Sequence, residues 1–410
     1  MANTLIRSAA AAATVVAAVA IGAATPSIPA GAAVLEVTEI DDDATVVGSL
    51  RWAVEQADAD PTPPTITIAP GLSIELTCLG GGALAYDSAT DQPLVIEGNL
   101  STITQTCPGE AVLETVTEDL EVSEITITGG GAGGIVGGGD VAVTGATVTG
   151  NQGGPGVSAY SGRATITGST VSDNVGAAGG GVGAIHVELV NSTVSGNQGN
   201  NGAGVWADQT ATVTNSTISG NTAGNSGGGV YSALNTIELA HATVLENAAP
   251  AGANVDLDSS STFTSTSSLI GLPAGAGENC EIDGGATVTS GGYNVTSDAS
   301  CQLSTGPSDL PDTEPQVGPL GDNGGPAATH LPAVGSPAID LADCAAVGLA
   351  ADERGIARPQ AAACDSGAVE VEVVVLPGPT PVPAPGPGPG GPFDPARPAA
   401  PLPATPVYTG

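Results

Sequence analysis

Short alternations of apolar and polar residues, broken by Gly and Asn, recur along the middle of the chain. From Val141 to Asn151 the sequence reads VAVTGATVTGN, a Gly-rich loop follows, and Val157 starts the next burst. A period of two over three or four residues, rich in Val, Thr and Ile, is typical of short strands separated by turns. No burst is long enough for a helix. Three bursts per copy predict three strands per repeat.

The repeat is about 23 residues long. The motif apolar–x–x–Asn recurs with its Asn residues spaced by 23, 23, 24 and 26 positions, at Asn151, Asn174, Asn197, Asn221 and Asn247. A Gly-Val pair follows each of the first four motifs, and Asn-Val follows the fifth; the valines are Val157, Val182, Val205, Val230 and Val255. A fixed period of this length indicates a supersecondary unit that stacks on copies of itself.

Alignment of the copies produces columns of similar residues. One apolar column holds Val143, Ile166, Leu189, Val213 and Leu239. A second holds Val148, Val171, Val194, Ile218 and Val244. A third contains only small residues, namely Ala146, Ser169, Ser192, Ser216 and Ala242, and is expected where the walls of a coil come close together. A disordered Gly-rich linker has no reason to keep such columns in register.

These columns predict an all-β fold, a parallel β-helix with three strands per coil. Coils would stack roughly 4.8 Å apart, and each would bury the interior of its neighbour. Right-handed winding is expected because parallel connections are almost always right-handed. The recurring Asn tolerates a left-handed turn, and its amide can hydrogen-bond the Asn of the next coil. We therefore expect a structural Asn ladder.

The N-terminal side predicts a cap for this stack. Leu50, Ala53, Val54 and Ala57 share one helical face, and Ser49 is a suitable N-cap. Prolines stop this helix, and Thr65 is expected to begin the first strand. The predicted organisation is a signal peptide at 1–33, an N-terminal cap at 34–64, the β-helix at 65–310, a separate C-terminal region at 311–371 and a Pro-rich tail at 372–410.

Both chain ends have the composition of non-globular segments. Arg7, an apolar run and the AGAA stretch at 30–33 are typical of a secretory signal peptide. From residue 376 onward 13 of 35 residues are Pro, which predicts a disordered, semi-rigid tail, either an anchor spacer or a plain extension. The LPAT stretch at 402–405 begins like a sortase signal, but Pro406 stands where Gly is required. After signal cleavage no transmembrane segment is expected.

The charge and composition of the chain limit the classes of partner and cofactor that are expected. The formal charge is −36, with six Lys plus Arg in 410 residues, which excludes nucleic acid as a partner. No cofactor is expected beyond weak association with divalent cations such as calcium; Asp256 and Asp258 share a face but lack further ligands. The run at 41–43 is expected to be solvated. Aromatic residues are 2%, which argues against a groove lined with stacking rings.

An even number of cysteines in an exported protein predicts disulfides. The six residues fall into neighbouring pairs along the chain, which predicts the bonds Cys78–Cys107, Cys280–Cys301 and Cys344–Cys364. No Cys or His spacing typical of a zinc site is present.

Several C-terminal blocks carry a family resemblance. The sequence reads VGPLGDNGGP at 317–326, GSPAID at 335–340, DERGIARP at 352–359 and CDSGAVE at 364–370. In this order they resemble the C-terminal region of choice-of-anchor Q domain proteins, which are bacterial exported proteins with a pectin-lyase-like right-handed β-helix. The GSLR stretch at 48–51 also resembles their N-terminal sequence, and the coil motifs are similar to polymorphic outer membrane protein repeats. The resemblance implies a secreted or cell-surface bacterial protein.

Two function classes remain open. Polysaccharide lyases and glycosidases of this fold need charged columns, but the columns here are apolar, Ser and Asn. His186 and His241 have no acidic neighbours in the alignment, and His330 is expected to hydrogen-bond in the C-terminal region. We therefore predict no catalytic residues and no metal site. The favoured function is a non-catalytic, adhesin-like stalk that binds an extracellular glycan or cell-surface protein; the alternative is a carbohydrate-active enzyme with an unrecognised site.

Overall fold

The computed structural model describes residues 33–374 and 407–408. The signal peptide predicted for residues 1–33 and the Pro-rich tail predicted for residues 372–410 lie almost wholly outside these residues. Within the described part of the chain, no helix is long and apolar enough to cross a membrane.

Strands make up almost all the regular structure. In chain order they are Val34–Val37, Thr65–Ile68, Ser73–Leu76, Leu84–Tyr86, Leu94–Gln105, Leu113–Thr115, Leu120–Thr128, Ile135–Gly137, Val141–Thr144, Thr147–Thr149, Val157–Thr167, Thr170–Ser172, Val182–Val190, Thr193–Ser195, Gln198–Asn201, Val205–Thr214, Thr217–Ser219, Thr222–Ser226, Val230–Ser232, Thr236–Ala240, Thr243–Leu245, Val255–Leu257, Thr262–Thr266, Leu269–Gly271, Cys280–Ile282, Thr287–Gly292, Val295–Thr296, Val373–Val374 and Val407–Tyr408. The helices are Leu50–Ala59 and Cys344–Val347.

Twenty-five of the strands form one sheet that winds through about nine turns. Each coil contributes one strand segment to each of three walls, and some strands extend over two walls. The segments pair in parallel with those of the coils above and below. Wall A has the interior column Ile66, Ile96, Val122, Val143, Ile166, Leu189, Val213 and Leu239. Wall B has Ile74, Ile103, Ile127, Val148, Val171, Val194, Ile218, Val244 and Ile270. Wall C has Leu84, Leu113, Ile135, Val157, Val182, Val205, Val230, Val255 and Cys280.

The prediction of a parallel β-helix with three strands per coil is confirmed. The interior columns are buried, with almost every side chain at or near zero exposure. Because successive residues of a strand point to opposite faces, each buried residue leaves its neighbours on the outer face of the wall. The interior therefore fixes which residues the walls present to solvent.

The column of small residues lies at the turn between walls A and B. Asn191 and Asn215 adopt left-handed backbone there, with φ of 50° and 51°. The serine after each turn does more than save space: the backbone N–H of Ser192 donates to Ser216 Oγ at 3.1 Å. The Ser192 hydroxyl in turn donates to Val190 O at 2.8 Å. Where the small residue is a serine, its hydroxyl also satisfies the backbone of the adjacent coil.

The N-terminal helix covers the first coils. Ser49 caps it as predicted, because its side chain accepts a hydrogen bond from the backbone N–H of Trp52 at 3.1 Å. The structure differs from the sequence expectation at the first strand, since Val34–Val37 already pairs in parallel with Thr65–Ile68. The stack therefore begins before the helix.

The acidic run at 41–43 is not uniformly solvated. Asp42 pairs with Arg51 at 2.7 Å, and its side chain is only 6% exposed. It also accepts a hydrogen bond from the backbone N–H of Thr77 at 2.6 Å. The expectation of a solvated run is wrong for Asp42, because this carboxylate ties the helix to the first coils.

Residues 316–371, here called the C-terminal strap, run along wall B. Glu353 Oε1 accepts a hydrogen bond from Thr193 at 2.8 Å, and Oε2 accepts one from Thr217 at 2.6 Å. Farther along, the backbone N–H of Gly367 donates to Ser267 O at 2.8 Å. The strap thus spans several coils of wall B.

Two buried ion pairs hold the strap in shape. Arg358 Nη1 lies 3.0 Å from Glu370, and Arg354 Nη2 lies 2.8 Å from Asp352; all four side chains are at most 5% exposed. The Arg358 side chain also donates to Asn215 Oδ1 at 3.2 Å, which links the strap to the turn between walls A and B. Burial of these charges is compatible with folding because each has several hydrogen-bond partners.

Candidate functional site

The outer face of wall C carries a column that the interior valines position. The residue after each of these valines points outward, and its register is fixed by pairing with the neighbouring coils. This outer column of wall C contains, in order, Ser158, Gly183, Trp206, Tyr231, Asp256 and Glu281. Consecutive members are one coil apart, roughly 4.8 Å. The column therefore changes from small to aromatic to acidic along the axis.

A cleft of about 430 Å³ opens at the small and aromatic part of this column. Pro155, Tyr160, Gly183, Trp206 and Asp208 are among the residues that line it. A β-carbon on Gly183 would meet Pro155 Cγ at 3.4 Å and Trp206 Cε3 at 3.9 Å. The absence of a side chain at Gly183 thus leaves an open slot between the proline and the indole. This volume falls in the usual range for small-molecule sites.

Aromatic side chains are concentrated around the cleft. Tyr160 is 69% exposed, Trp206 is half-buried, and Tyr231 follows Trp206 in the outer column. The chain has two Trp, five Tyr and two Phe, so a third of its aromatic residues lie on this one face. Low aromatic content argues against a groove lined with stacking rings, but the few aromatic residues of this chain are gathered at one place.

At the acidic end of the outer column, neighbouring side chains shift one another's pKa values. Tyr231 donates its hydroxyl to Asp258 Oδ2 at 2.9 Å, and burial together with this bond raises the pKa of Tyr231 to about 12. Asp256 is 5% exposed; its burial, followed by the charges of Asp258 and Glu281, raises its pKa to about 7. At neutral pH, Asp256 is therefore close to half ionised, and the face around it is negative.

Asp256 and Asp258 lie on one face, as the sequence indicated. In the residues that the structure describes, no group of three His, Cys, Asp or Glu side chains could hold a metal ion. The arrangement of wall C is suited to a different task. Half-exposed rings provide flat apolar surface, and the carboxylates beside them accept hydrogen bonds or pair with cations.

The five Asn residues of the predicted ladder come together inside the stack. Each Nδ2 donates to the Oδ1 of the next Asn at 2.9 to 3.0 Å, from Asn151 through Asn174, Asn197 and Asn221 to Asn247. The ladder continues through Asn254 to Asn279, which the repeat motif did not include. Because these side chains are fully buried, they hold the coils together and do not reach a ligand.

The structure joins the six cysteines as Cys78–Cys107, Cys280–Cys301 and Cys344–Cys364. The first bond lies in the early coils, the second joins the last coils, and the third lies within the strap. None of the six cysteines lines the cleft in wall C.

The three histidines lie in separate places. His186 Nδ1 is 2.7 Å from Thr210 Oγ1 at the start of wall A. His330 bridges the strap to wall B, with Nε2 2.8 Å from Ser219 Oγ and Nδ1 2.8 Å from Gly318 O. His241 is buried beside Arg358, and burial, followed by that charge, lowers its pKa to about 3.

Comparison with known proteins is consistent with the observed coils. The family model described as right handed beta helix region matches residues 80–270. This part of the chain is a right-handed β-helix. Searches of curated proteins and of solved structures found no match.

Reasoning from the sequence missed the cleft because its residues do not repeat. Ser158, Gly183, Trp206 and Tyr231 occupy equivalent positions, but they differ in size and chemistry, so they form no column of one residue type. The available signal was positional: each follows a valine of the Gly-Val motif. A list of the outward residues of each wall would have placed Trp206 beside Tyr231.

Proposed function

We propose that this protein is a non-catalytic, exported or cell-surface β-helix that presents the outer column of wall C as a rigid binding surface. The observation that carries the proposal is the cleft where Trp206 and Tyr160 stand partly exposed on a wall whose strands are paired on both sides. Rings held on such a scaffold lose little conformational entropy when they bind a partner. The ligand is an extracellular glycan or cell-surface protein.

The setting of the protein is part of this proposal. Three disulfides are compatible with an oxidising, extracellular location. The C-terminal blocks that resemble choice-of-anchor Q domain proteins form the strap, which supports a place among bacterial exported proteins of that kind. We infer an adhesin-like role in which the β-helix presents its binding face on a rigid scaffold.

A carbohydrate-active enzyme is the second candidate, and one observation favours it. Asp256 has a pKa near 7 and lies next to Asp258, which has the chemistry of a general acid beside a carboxylate. Against this, Asp256 is 95% buried, and the Tyr231 hydroxyl already occupies Asp258. The non-catalytic function therefore agrees better with the geometry.

Binding of the purified mature protein to a glycan array and to whole bacterial and host cells tests the proposal. The variant Trp206→Ala should lose most binding because it removes the central ring of the face. Leu234→Ala is the matched control, since Leu234 is 60% exposed and does not line the cleft. Equal loss in both variants, or none in Trp206→Ala, would show that wall C is not the binding face.

A further inference from the structure

We infer that the cleft of wall C binds a sugar ring of a glycan with free amino groups, with the ring against Trp206 and a protonated amine at Asp208. This inference rests on the proposed function, because it names the ligand class of the same face. Three observations support it: the shape of the slot, the sign of the surrounding charge and the order of residues along the outer column.

The slot is suited to a flat ring. Gly183 forms its floor, and the side chains of Pro155 and Trp206 both lie within 4 Å of the space where a β-carbon would lie. Tyr160 adds a second exposed ring at the same cleft. The C–H face of a sugar packs on an indole, and an ammonium group close to that ring gains a cation–π attraction.

The charge around the slot favours a cation. Asp208 lines the cleft itself, and Asp256, Asp258 and Glu281 lie farther along the same face. Arg163 is a cation at the start of the wall A segment of its strand. Its guanidinium lies 3.6 Å from the carboxylate of Glu188, which is on that wall. With six basic residues in the whole chain, a polyuronate would meet repulsion at every contact. A protonated amino sugar would instead be attracted to this face, and Asp208 lies in the cleft to receive its amine.

The order of the outer column is suited to a polymer. A chain that leaves Trp206 along the coil axis reaches Tyr231 after one coil and the exposed Glu281 after three, roughly 14 Å away. It therefore meets a second ring and then a second group of carboxylates. An amino-sugar polymer offers both rings for the aromatic side chains and amines for the carboxylates along this path.

A cationic peptide is the competing occupant, and the wall disfavours it. Peptides gain much of their affinity for sheets by adding a strand to an open edge. The strands at the cleft, Val157–Thr167, Val182–Val190 and Val205–Thr214, are each paired on both sides. Only side-chain contacts remain available, and the rings of Trp206 and Tyr160 offer a flat apolar surface that a sugar ring covers better than a flexible lysine.

Calorimetric titration of the mature protein with four probes tests this inference: glucosamine oligomers, their N-acetylated counterparts, oligogalacturonate and oligolysine. We expect the glucosamine oligomers to bind most tightly, the N-acetylated series to bind more weakly by about tenfold or more, and oligogalacturonate and oligolysine to show no measurable binding. The affinity should fall as salt is raised, because the contacts are partly ionic. Oligolysine that binds as tightly as glucosamine oligomers, or N-acetylated oligomers that bind equally, would overturn the inference.

Two variants locate the contact. Asp208→Asn should weaken the binding of glucosamine oligomers by roughly tenfold and leave the binding of the N-acetylated series unchanged. The matched control Glu238→Gln alters an exposed carboxyl on wall A and should change neither affinity. Gly183→Val should abolish binding by filling the slot, with an unchanged melting temperature as the check on folding. If no probe binds but Trp206→Ala still removes cell binding, this inference fails and the proposed function stands.

Discussion

Single polar side chains determine how the coils are held together. Asn197 shows the principle: its Nδ2 donates to Asn221 Oδ1 at 2.9 Å and to Val171 O at 3.0 Å. One buried amide thus satisfies groups in two neighbouring coils. Buried polar groups are tolerated in this way only when every donor has a partner. The interior of the stack is accordingly a mixture of apolar columns and of a hydrogen-bonded Asn ladder.

The apolar column of wall B allows a direct test at Val194. This side chain is fully buried between Val171 and Ile218. Val194→Asp would place an unpaired carboxyl among aliphatic side chains, so the free energy of unfolding should fall by several kcal/mol. Thr214→Asp, at an outward position of wall A, is the control and should melt close to the parent. A parental melting temperature for Val194→Asp would show that the column is assigned wrongly.

A second residue-scale prediction concerns Glu353. Burial between the strap and wall B raises its pKa to about 8, although Thr217 and Thr193 donate hydrogen bonds to it. Because the folded pKa exceeds the usual value of 4.5, its contribution to stability is full below about pH 4.5 and is lost as the pH rises through 8. Between these values the loss is about 1.4 kcal/mol per pH unit.

Denaturant unfolding of the parent and of Glu353→Gln at pH 5, 6 and 7 measures this effect. The unfolding free energy of the variant minus that of the parent should increase by about 1.4 kcal/mol for each pH unit. The comparison must be a difference, because buried His241 has a lowered pKa of about 3 and its contribution changes with pH in the opposite direction. A constant difference across the three pH values would mean that Glu353 is ionised in the folded protein.

At the scale of elements, the sequence predicted the strands that recur in each coil and missed elements that have no copy. Period-two alternation identified the interior columns, and Ser49 with its apolar face identified the capping helix. The strand at Val34–Val37 was missed because it has no copy 23 residues away. The path of the strap along wall B was also hidden, since contacts such as Glu353 with Thr193 join residues far apart in the chain. The cleft depends on Gly183 and Trp206 being adjacent, which only the register shows.

The disulfides give the element-scale prediction. In the protein purified under oxidising conditions all six cysteines should be joined in the three neighbouring pairs, and thiol titration without denaturant should find none free. Replacing Cys344 and Cys364 by Ser removes a bond that closes a loop of 20 residues, and it should lower the free energy of unfolding by about 3 kcal/mol. Crossed pairs in peptide mapping, or a reactive thiol, would contradict the assignment.

The whole molecule combines a rigid scaffold with a strongly negative surface. Each coil is paired with its neighbours on three walls, so a group on wall C keeps its position relative to groups several coils away. The charge of −36 restricts partners to neutral or cationic ones unless counterions intervene. Rigidity and charge together favour recognition of an extended ligand over closure around a small one.

The final prediction is that the protein cleaves no polysaccharide. Glycoside hydrolysis needs two carboxyl groups on opposite sides of the bond, both accessible, whereas Asp256 is 95% buried and Asp258 accepts the Tyr231 hydroxyl. A lyase needs a cation or base beside a uronate, and the face around Asp256 is acidic. We therefore expect no unsaturated product from polygalacturonate or alginate, with or without calcium, and no new reducing ends from neutral or amino-sugar glycans. Asp256→Asn decides the matter if turnover is seen: activity in the parent that disappears in this variant, while cell binding persists, would establish the enzyme and reject the non-catalytic function.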